Sequence, residues 1–538
     1  MKHTKIAVAV AAMTFAGSAS AFAPGTAHSL NLYLSGASAQ DKSIAALVEG
    51  LCTTDATGAP IFDKFVNSGK TKYTAWSCTL DHLKVGAATV NGATSAGMLA
   101  DRTVLIQKRS KGGSGIGVDP VANSKLVDFM PITAANCPVD VPGGHTYTCT
   151  TASGDLQVPS FGVSDVNPAM FVGKNTPAGF TAVAAADVAK LDVTSAAALV
   201  FGVPVTTELR DALQVAQVSQ GILPVGCDAG LDGAPIKDAT GKIIGRTAPT
   251  RETEACMPTL SSNQVASIMS GKIKTWNQFY INGTALPSVA GVTVPGGTIT
   301  AGDLKVQICR RVEGSGTQAQ NNMVFLRYPC TSAAAFPAVP SRAGNRNGPV
   351  VYLNSGSGDV NKCLDDFNNG SNTGKKSDGT FNNAGLIHRW AIGLQALEKN
   401  ANLKFGYRFV KVDGAAPTLV NAANGTYKDW VEQTYQWRKT LGTAADSDLT
   451  GQDVDAKNIV YAIAAKAATP AFLGALDASK FDHTFGRSGF LAAATHFTPS
   501  ATGQLDLLNP VMPYTHAPAG SALDNCRIPM VAGNSSLN

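Results

Sequence analysis

Arg311-Val312-Glu313-Gly314-Ser315-Gly316-Thr317 is a short polar turn that points to the architecture of the whole chain. Upstream, Asp303-Leu304-Lys305-Val306-Gln307-Ile308-Cys309 reads as a strand, and downstream Gln318 to Leu326 reads as a helix. A guanidinium, two hydroxyls and small glycines therefore share the turn that opens a helix. That end has N–H groups without intrahelical acceptors and the positive pole of the helix dipole. It suits a tetrahedral oxyanion. Gly-Ser-Gly-Thr is also an ordinary capped turn, so the reading needs partners elsewhere in the chain.

The same strand, small loop and helix recurs elsewhere in the chain. Leu30 to Leu34 is a strand, Ser35-Gly36-Ala37-Ser38-Ala39 a turn, and Gln40 to Leu51 a helix with Ile44, Leu47, Val48 and Leu51 on one side. Thr103 to Ile106 is a strand that precedes Lys108-Arg109-Ser110-Lys111-Gly112-Gly113-Ser114-Gly115. Its three cations read as solvated charges near a rim, placed to raise the local anion concentration. Phe161-Gly162-Val163-Ser164-Asp165-Val166-Asn167-Pro168 is a further loop of this kind. Ala197 to Val205 is an apolar strand in which Pro204 argues against full bonding at that point. Leu403 to Val412 alternates as a strand. Helices are expected over 207–218, 260–269 (capped), 428–442, 453–466 and 470–476. A hairpin or loop is expected over 280–302, a loop-rich excursion over 120–160, and coil from Met512 onward. Repeated units of this kind predict an α/β architecture, with ligands at loop ends and helix N-termini.

Lys2 and Lys5 precede an apolar stretch from Ile6 to Ala16, and Ala19-Ser20-Ala21 has the form of a cleavage site. This predicts a secretory signal peptide cut after Ala21, too short for a stable anchor. Formal charge falls from +5 to +3 when the two lysines leave. No basic tract or aromatic-interleaved basic stripe follows, which excludes a nucleic-acid partner. The 538 residues exceed a usual single core and predict two or more domains. Ten cysteines in an exported chain predict disulfides. Chain order pairs Cys52 with Cys78, Cys137 with Cys149, Cys227 with Cys256 and Cys309 with Cys330. Cys363 and Cys526 are left to tie the C-terminal tail back to the body. No Cys-x-x-Cys is present, so thioredoxin-like chemistry and a compact zinc knuckle lack support. The dispersed histidines form neither His-x-x-x-His nor His-Glu-x-x-His. The turn at Ser114 lacks the nucleophile-elbow spacing, because residue 116 is isoleucine. No catalytic, metal or cofactor site is therefore expected. A packed or surface role is assigned to most histidines, with His388 nearest the core.

In order, these loops resemble those of the periplasmic phosphate-binding proteins of ABC importers, the type 2 solute-binding family, across most of the mature chain. Phe161-Gly162-Val163-Ser164-Asp165 closely matches the family's Phe-Gly-Ala-Ser-Asp. Arg311 to Thr317 matches its Arg-x-Asp-Gly-Ser-Gly-Thr, with Glu313 replacing aspartate. Gly36-Ala37-Ser38-Ala39 resembles its Gly-Ala-Thr-Phe loop without the aromatic residue, and Gly112 to Gly117 resembles its Gly-Ser-Ser-Gly-Gly loop. Gly271 to Asn277 and Ala391-Ile392-Gly393 resemble two further segments, the second being the family's return to its first lobe. The chain is far longer than a minimal member, with insertions placed over 120–160, 280–300, 365–383 and much of 440–520.

The resemblance implies a two-lobed type 2 periplasmic-binding-protein fold with central mixed sheets, an interlobe cleft and long loop insertions. Residues 22–200 would begin the first lobe, 201–384 would form the second, and 385–538 would return to the first and add a C-terminal extension. It implies phosphate ligands at Ser38, Ala39, Ser114, Asp165, Arg311, Ser315, Gly316 and Thr317. Arg311 would present two parallel donors, and Asp165 would accept a proton-bearing phosphate oxygen. Competing readings are Arg310 in place of Arg311, an Arg311–Glu313 ion pair, Asp165 as an Asx-turn residue, and a purely structural Ser114. The implied protein is a non-enzymatic, monomeric periplasmic receptor for inorganic phosphate, delivering it to the membrane subunits of an ABC importer. The alternative is a secreted or surface phosphate-binding-like protein serving adhesion, scavenging or secretion.

Overall fold

In chain order the principal strands are β1 (Leu30–Gly36), β2 (Asp63–Asn67), β3 (Tyr73–Leu80), β4 (Arg102–Arg109), β5 (Thr146–Cys149) and β6 (Phe161–Ser164). They continue as β7 (Leu191–Thr206), β8 (Gln307–Arg311), β9 (Val350–Asn354), β10 (Ala391–Gly393), β11 (Tyr407–Val412) and β12 (Trp430–Arg438). The longer helices are α1 (Asp41–Leu51), α2 (Thr207–Ser219), α3 (Ser262–Met269), α4 (Gly316–Leu326), α5 (Ser357–Asn369), α6 (Val454–Ala467) and α7 (Pro470–Lys480). This is a computed structural model, and it describes residues 22–68, 72–138, 144–230, 233–247, 250–295, 304–340, 348–496, 504–518 and 521–532. The signal peptide expected over 1–21, and Asp303 of the expected strand, lie outside the described residues.

Among the described residues the strands form one large mixed sheet, in the order β9-β8-β10-β7-β12-β6-β1-β4-β3-β2-β5, with β11 also pairing β7. Smaller two-stranded sheets and the helices flank it. β1 runs parallel to β4 and β6, and β8 runs parallel to β9 and β10. Two sets of parallel strands therefore each present carboxyl-end loops, where α/β proteins place ligands. β7 links the sets. Leu191 to Val200 pairs β12, while Val203 to Thr206 pairs β11 and Val205 meets β10. The strand continues through Pro204, which lies opposite Phe409.

Residues 428–442, expected as a helix, instead contain β12, whose nine residues are all buried. A strand covered on both faces shows no apolar–polar alternation. Its inward Gln433, Thr434 and Gln436 imitate a polar helix face, while the aromatic and β-branched residues favour the strand. Ala391-Ile392-Gly393 was expected at the return to the first part of the chain, but it pairs with β8. The chain rejoins β6 further on, at β12. The tail beyond Met512 is not all coil, since Tyr514–Thr515 pairs Met530–Val531. The region 280–302 does contain a hairpin, Tyr280–Ile281 with Thr284–Ala285. The capped helix is α3, with Ser261 and Gln264 forming its capping box.

One apolar core gathers β7, α2, α3 and α5 and includes Trp276 edge-on to Trp390; a second packs β1, α1 and α6 around Trp76 and Trp437. Five disulfides brace them. Cys52–Cys78, Cys137–Cys149 and Cys227–Cys256 follow chain order. The expected Cys309–Cys330 pair does not form. Cys309 bonds Cys363, and Cys330 bonds Cys526. The reason is packing: the buried face of α5, with Val360, Cys363, Leu364 and Phe367, covers β8 at Cys309. Such a bond set marks a chain matured in an oxidising, extracytoplasmic compartment. No single helix among the described residues is long and apolar enough to cross a membrane.

Candidate functional site

Arg311 is the last residue of β8, and strand alternation sends it and Arg310 to opposite faces. Arg310 is spent on backbone, its Nε donating to Ala338 O at 2.8 Å and an Nη1 hydrogen to Arg311 O at 3.0 Å. Arg311 faces the loops. Its Nη1 donates to Ser38 Oγ and Ser357 Oγ, both at 3.1 Å, and its Nη2 donates to Ser355 O at 2.8 Å. Those bonds use three of the five guanidinium donors. Nε is buried without a partner. Among the described residues no carboxylate pairs directly with Arg311, so an ion pair with Glu313 is not formed. Burial holds its pKa down, opposed first by the charge of Asp165 and then by Asp359, Asp41 and Glu398.

Asp165 follows β6 and is buried. Its N–H donates to Ser114 Oγ at 3.1 Å, and its Oδ2 accepts from Thr317 Oγ1 at 3.2 Å. Oδ1 is buried and unpartnered. The Asx-turn role expected as an alternative belongs to its neighbour Asn167, whose Oδ1 accepts from Ala169 N. Burial pushes the Asp165 pKa up to about 6, against the nearby Arg311 charge, the neighbouring Gln40 amide, whose Nε2 donates to Ser164 O, and the Thr317 hydrogen bond.

The remaining positions are set by close backbone approach. Ser315 caps α4, its Oγ accepting from Gln318 N at 3.4 Å, so its hydroxyl hydrogen remains free to donate. Gly316 begins the helix where a Cβ would lie 2.2 Å from Ser114 Oγ and 2.7 Å from Asp165 Cβ. The N–H groups of Gly316 and Thr317 belong to the helix turn without intrahelical acceptors. Gly115 N donates to Gly314 O at 2.8 Å, joining the Ser114 loop to the Arg311 loop. Gly36, at φ +125°, lets Val163 O approach to 1.9 Å from where a Cβ would stand. That contact seats Ser38 and Ala39 at the entrance of α1, both buried.

The eight sequence-named residues thus fall into two contact groups. Ser38 joins Arg311, while Ser114, Asp165, Gly316 and Thr317 join one another; β8 and its loop connect the groups through Ser315. Ala39 contributes no side-chain donor. Two corrections concern the cations. Lys108 and Arg109 are buried rather than solvated, and Lys111 alone of the three is substantially exposed, at 46%. Lys108 Nζ donates to Gly36 O at 3.2 Å, Ala37 O at 3.0 Å and Ser110 Oγ at 2.9 Å, so it organises the Ser38 loop. Arg109 pairs with Asp128 at 2.7 Å. His388 is exposed and binds Asn368 O, away from this constellation.

Sequence reading missed Ser355 and Ser357. They sit in Asn354-Ser355-Gly356-Ser357, between β9 and α5, and repeat the strand, small loop and helix grammar. The signal was present, but the polar, glycine- and asparagine-rich residues around it mask the pattern. Their effect is a proton count. Ser38 Oγ and Ser357 Oγ are 3.0 Å apart, and both accept from Arg311. One hydroxyl hydrogen serves the pair and the other is left over. Together with Arg311 Nε and the helix-end N–H groups, this makes a cluster of donors beside one unpartnered acceptor, Asp165 Oδ1. The arrangement can hold a small oxyanion that itself carries a proton. Elsewhere, Asp81, His82 and Asp101 bring ligand atoms within 4.8 Å of one another, but they share no residue with this cluster.

No protein-family model matches the chain, and no curated protein matches it in sequence. Its likenesses are to solved structures, and they are distant. One is a Clostridium perfringens protein described as a candidate phosphate ABC transporter substrate-binding protein with bound phosphate: 12% identity, 84% of this chain and 98% of that chain covered, TM-score 0.36. Another is PstS from Borrelia burgdorferi: 11% identity, 80% and 97% covered, TM-score 0.26. A third is an ABC-type phosphate transport receptor from Vibrio cholerae: 11% identity, 60% and 88% covered, TM-score 0.23. At these scores the likeness carries no argument about this chain, so the functional reading rests on the site itself.

Proposed function

We propose that the chain is an exported receptor for inorganic phosphate, held between the Asp165 loop and the N-terminus of α4. The observation that carries this reading is the pair of buried, unpartnered atoms in one constellation, the acceptor Asp165 Oδ1 and the donor Arg311 Nε. A buried polar group left unpaired costs about 1–3 kcal/mol, so the site favours a ligand that satisfies both. Phosphate near neutrality has anionic oxygens for Arg311, for the spare serine hydroxyl and for the helix-end N–H groups. It also keeps a P–OH for Asp165. Sulfate has no such proton and would face Asp165 as an unpaired anion. Arsenate, which keeps one, would be accepted.

In this reading β7 is the strand shared by two lobes. The first contains β1 to β6 and β12, and the second contains β8 to β11, so the return falls between Val412 and Trp430 rather than near residue 385. The onward acceptor of the phosphate is the membrane-subunit pair of an ABC importer. The test is calorimetric titration of the phosphate-stripped mature protein at neutral pH. One-to-one binding of phosphate, with none detectable for sulfate, is expected. A folded protein that takes up no phosphate overturns the reading.

A further inference from the structure

We propose that Cys330–Cys526 is a thiol-exchange site whose oxidised form latches the Asp165 loop to the helix that carries Thr317; its consequence for ligand exchange rests on the phosphate reading above. Access singles this bond out. The eight other cysteines are at most 5% exposed, whereas Cys330 is half-buried and Cys526 is exposed. Exchange needs a thiolate to reach a disulfide sulfur, so a dithiol reductant meets Cys526 first.

Connectivity supplies the consequence. The tail strap, described over 512–518 and 521–532, is fixed to β12, because His516 Nδ1 lies 2.6 Å from Glu432 Oε2 and His516 N donates to Glu432 Oε1 at 2.7 Å. It is also fixed to the segment just after Asp165. Asn167 N donates to Asn525 Oδ1 at 2.6 Å, Asn167 Nδ2 donates to Leu523 O, and Cys526 Sγ lies 3.9 Å from Met170 Sδ. The disulfide then joins the strap to Cys330, just beyond the C-terminal end of α4. Thr317 and the Arg311 loop stand at the other end of that helix. Lys174 N to Tyr328 Oη, at 2.7 Å, and Asn322 Nδ2 to Asn175 Oδ1, at 2.9 Å, run the same way without a covalent bond. Asp165, Arg311 and Thr317 are each 1% exposed, so a ligand can leave once the Asp165 loop and α4 separate. The disulfide is the covalent link in the tie that restrains that separation, the strap's hold on the Asp165 loop being through hydrogen bonds.

A reductant thiolate attacks Cys526 Sγ, forms a mixed disulfide and expels the Cys330 thiolate, which takes up a proton. The second thiol of the reductant resolves the mixed disulfide and releases Cys526. Two electrons pass to the protein, and the dithiol becomes a disulfide.

The test uses the full mature chain. Stepwise dithiothreitol with alkylation and mass spectrometry should label Cys330 and Cys526 at a reductant level at least tenfold below that of the other eight cysteines. Native-state hydrogen exchange should show residues 165–175 losing protection in the Cys330→Ser/Cys526→Ser variant, and bound radiolabelled phosphate should leave it at least tenfold faster than wild type. Labelling of another pair first, unchanged exchange at 165–175, or an unchanged release rate overturns the latch. If wild type binds no phosphate, the functional reading fails, and labelling order with hydrogen exchange then decides the latch.

Discussion

Asp165 is held between burial, which favours its acid form, and the charge of Arg311, which favours its carboxylate, and the balance places its pKa at about 6. Above that pH it can only accept a hydrogen bond; below it, Oδ1 or Oδ2 becomes a donor. Discrimination against sulfate should therefore fade as pH falls from 7.5 to 5, with sulfate binding appearing on the acid side. Asp165→Asn should show the weak discrimination at every pH and bind phosphate about 5- to 150-fold less tightly, as expected for about 1–3 kcal/mol of lost pairing. Competition titrations across that range check both, and a wild-type preference that stays constant to pH 5 would sink the acceptor role. Ser357 gives a subtler expectation. Ser357→Ala removes one acceptor of Arg311 Nη1 and breaks the hydroxyl pair with Ser38. Phosphate affinity should drop by about threefold to tenfold, near the net worth of one hydrogen bond, with the thermal midpoint little changed. Titration of this variant against wild type measures it.

At the scale of elements, the site is made by helix starts pressed against strand ends, and Gly316 is where the pressing is closest. Gly316→Ala favours α4 by helix propensity, because alanine is the better helix former by about 1 kcal/mol. Its Cβ, however, would stand 2.2 Å from Ser114 Oγ and 2.7 Å from Asp165 Cβ, so the Ser114 and Asp165 loops must move away. The expected outcome is a folded protein with phosphate binding reduced at least 100-fold; retention of wild-type affinity would show that the contact does not shape the site. This geometry also explains what could be read in advance. Arg311 to Thr317, Ser38 and Asp165 were legible because strand, glycine loop and helix cap are local patterns. So were α1 to α4, whose apolar spacing or caps lie within a few residues. β12 was not, because burial on both faces erases the alternation that marks a strand. Cys309 was mispaired because its partner depends on which helix covers β8, which chain order does not record. Lys108 passed for a solvated charge because its acceptors, Gly36 O and Ala37 O, are carbonyls of another strand's loop.

For the whole molecule, buried titratable groups set an unusual dependence of stability on pH. Asp429, buried and bonded by Gln320, has its pKa raised to about 7, and Asp165 to about 6. Glu398 and Asp477 are also raised by burial. A carboxyl whose folded pKa exceeds its unfolded value stabilises the fold fully below the unfolded pKa, and that contribution is lost as pH rises through the folded pKa. For Asp165 and Asp429 the window runs from about 4 to 7. His483 acts in the opposite sense. Burial lowers its pKa to about 4, so the folded state binds fewer protons between pH 4 and 6.5 and is favoured as pH rises there. The displacements of Asp165 and Asp429 together are about twice that of His483, and beyond pH 6.5 His483 no longer contributes. Glu432, held below the usual range chiefly by hydrogen bonding from His516, and Asp128, at about 2, defend the fold only against stronger acid. The ligand-free protein should therefore have its highest thermal midpoint near pH 4.5 and lose stability as pH rises to about 7. Asp429→Asn keeps an acceptor for Gln320 and removes the buried charge. It should recover up to about 4 kcal/mol at pH 8 but only about 1 kcal/mol at pH 4.5, from a displacement of about three pKa units at 1.36 kcal/mol each. Melting curves of both proteins across this range decide the matter. A midpoint that climbs from pH 5 to 8, or an equal gain from Asp429→Asn at both ends, would mean that these carboxylates are solvated in the folded protein.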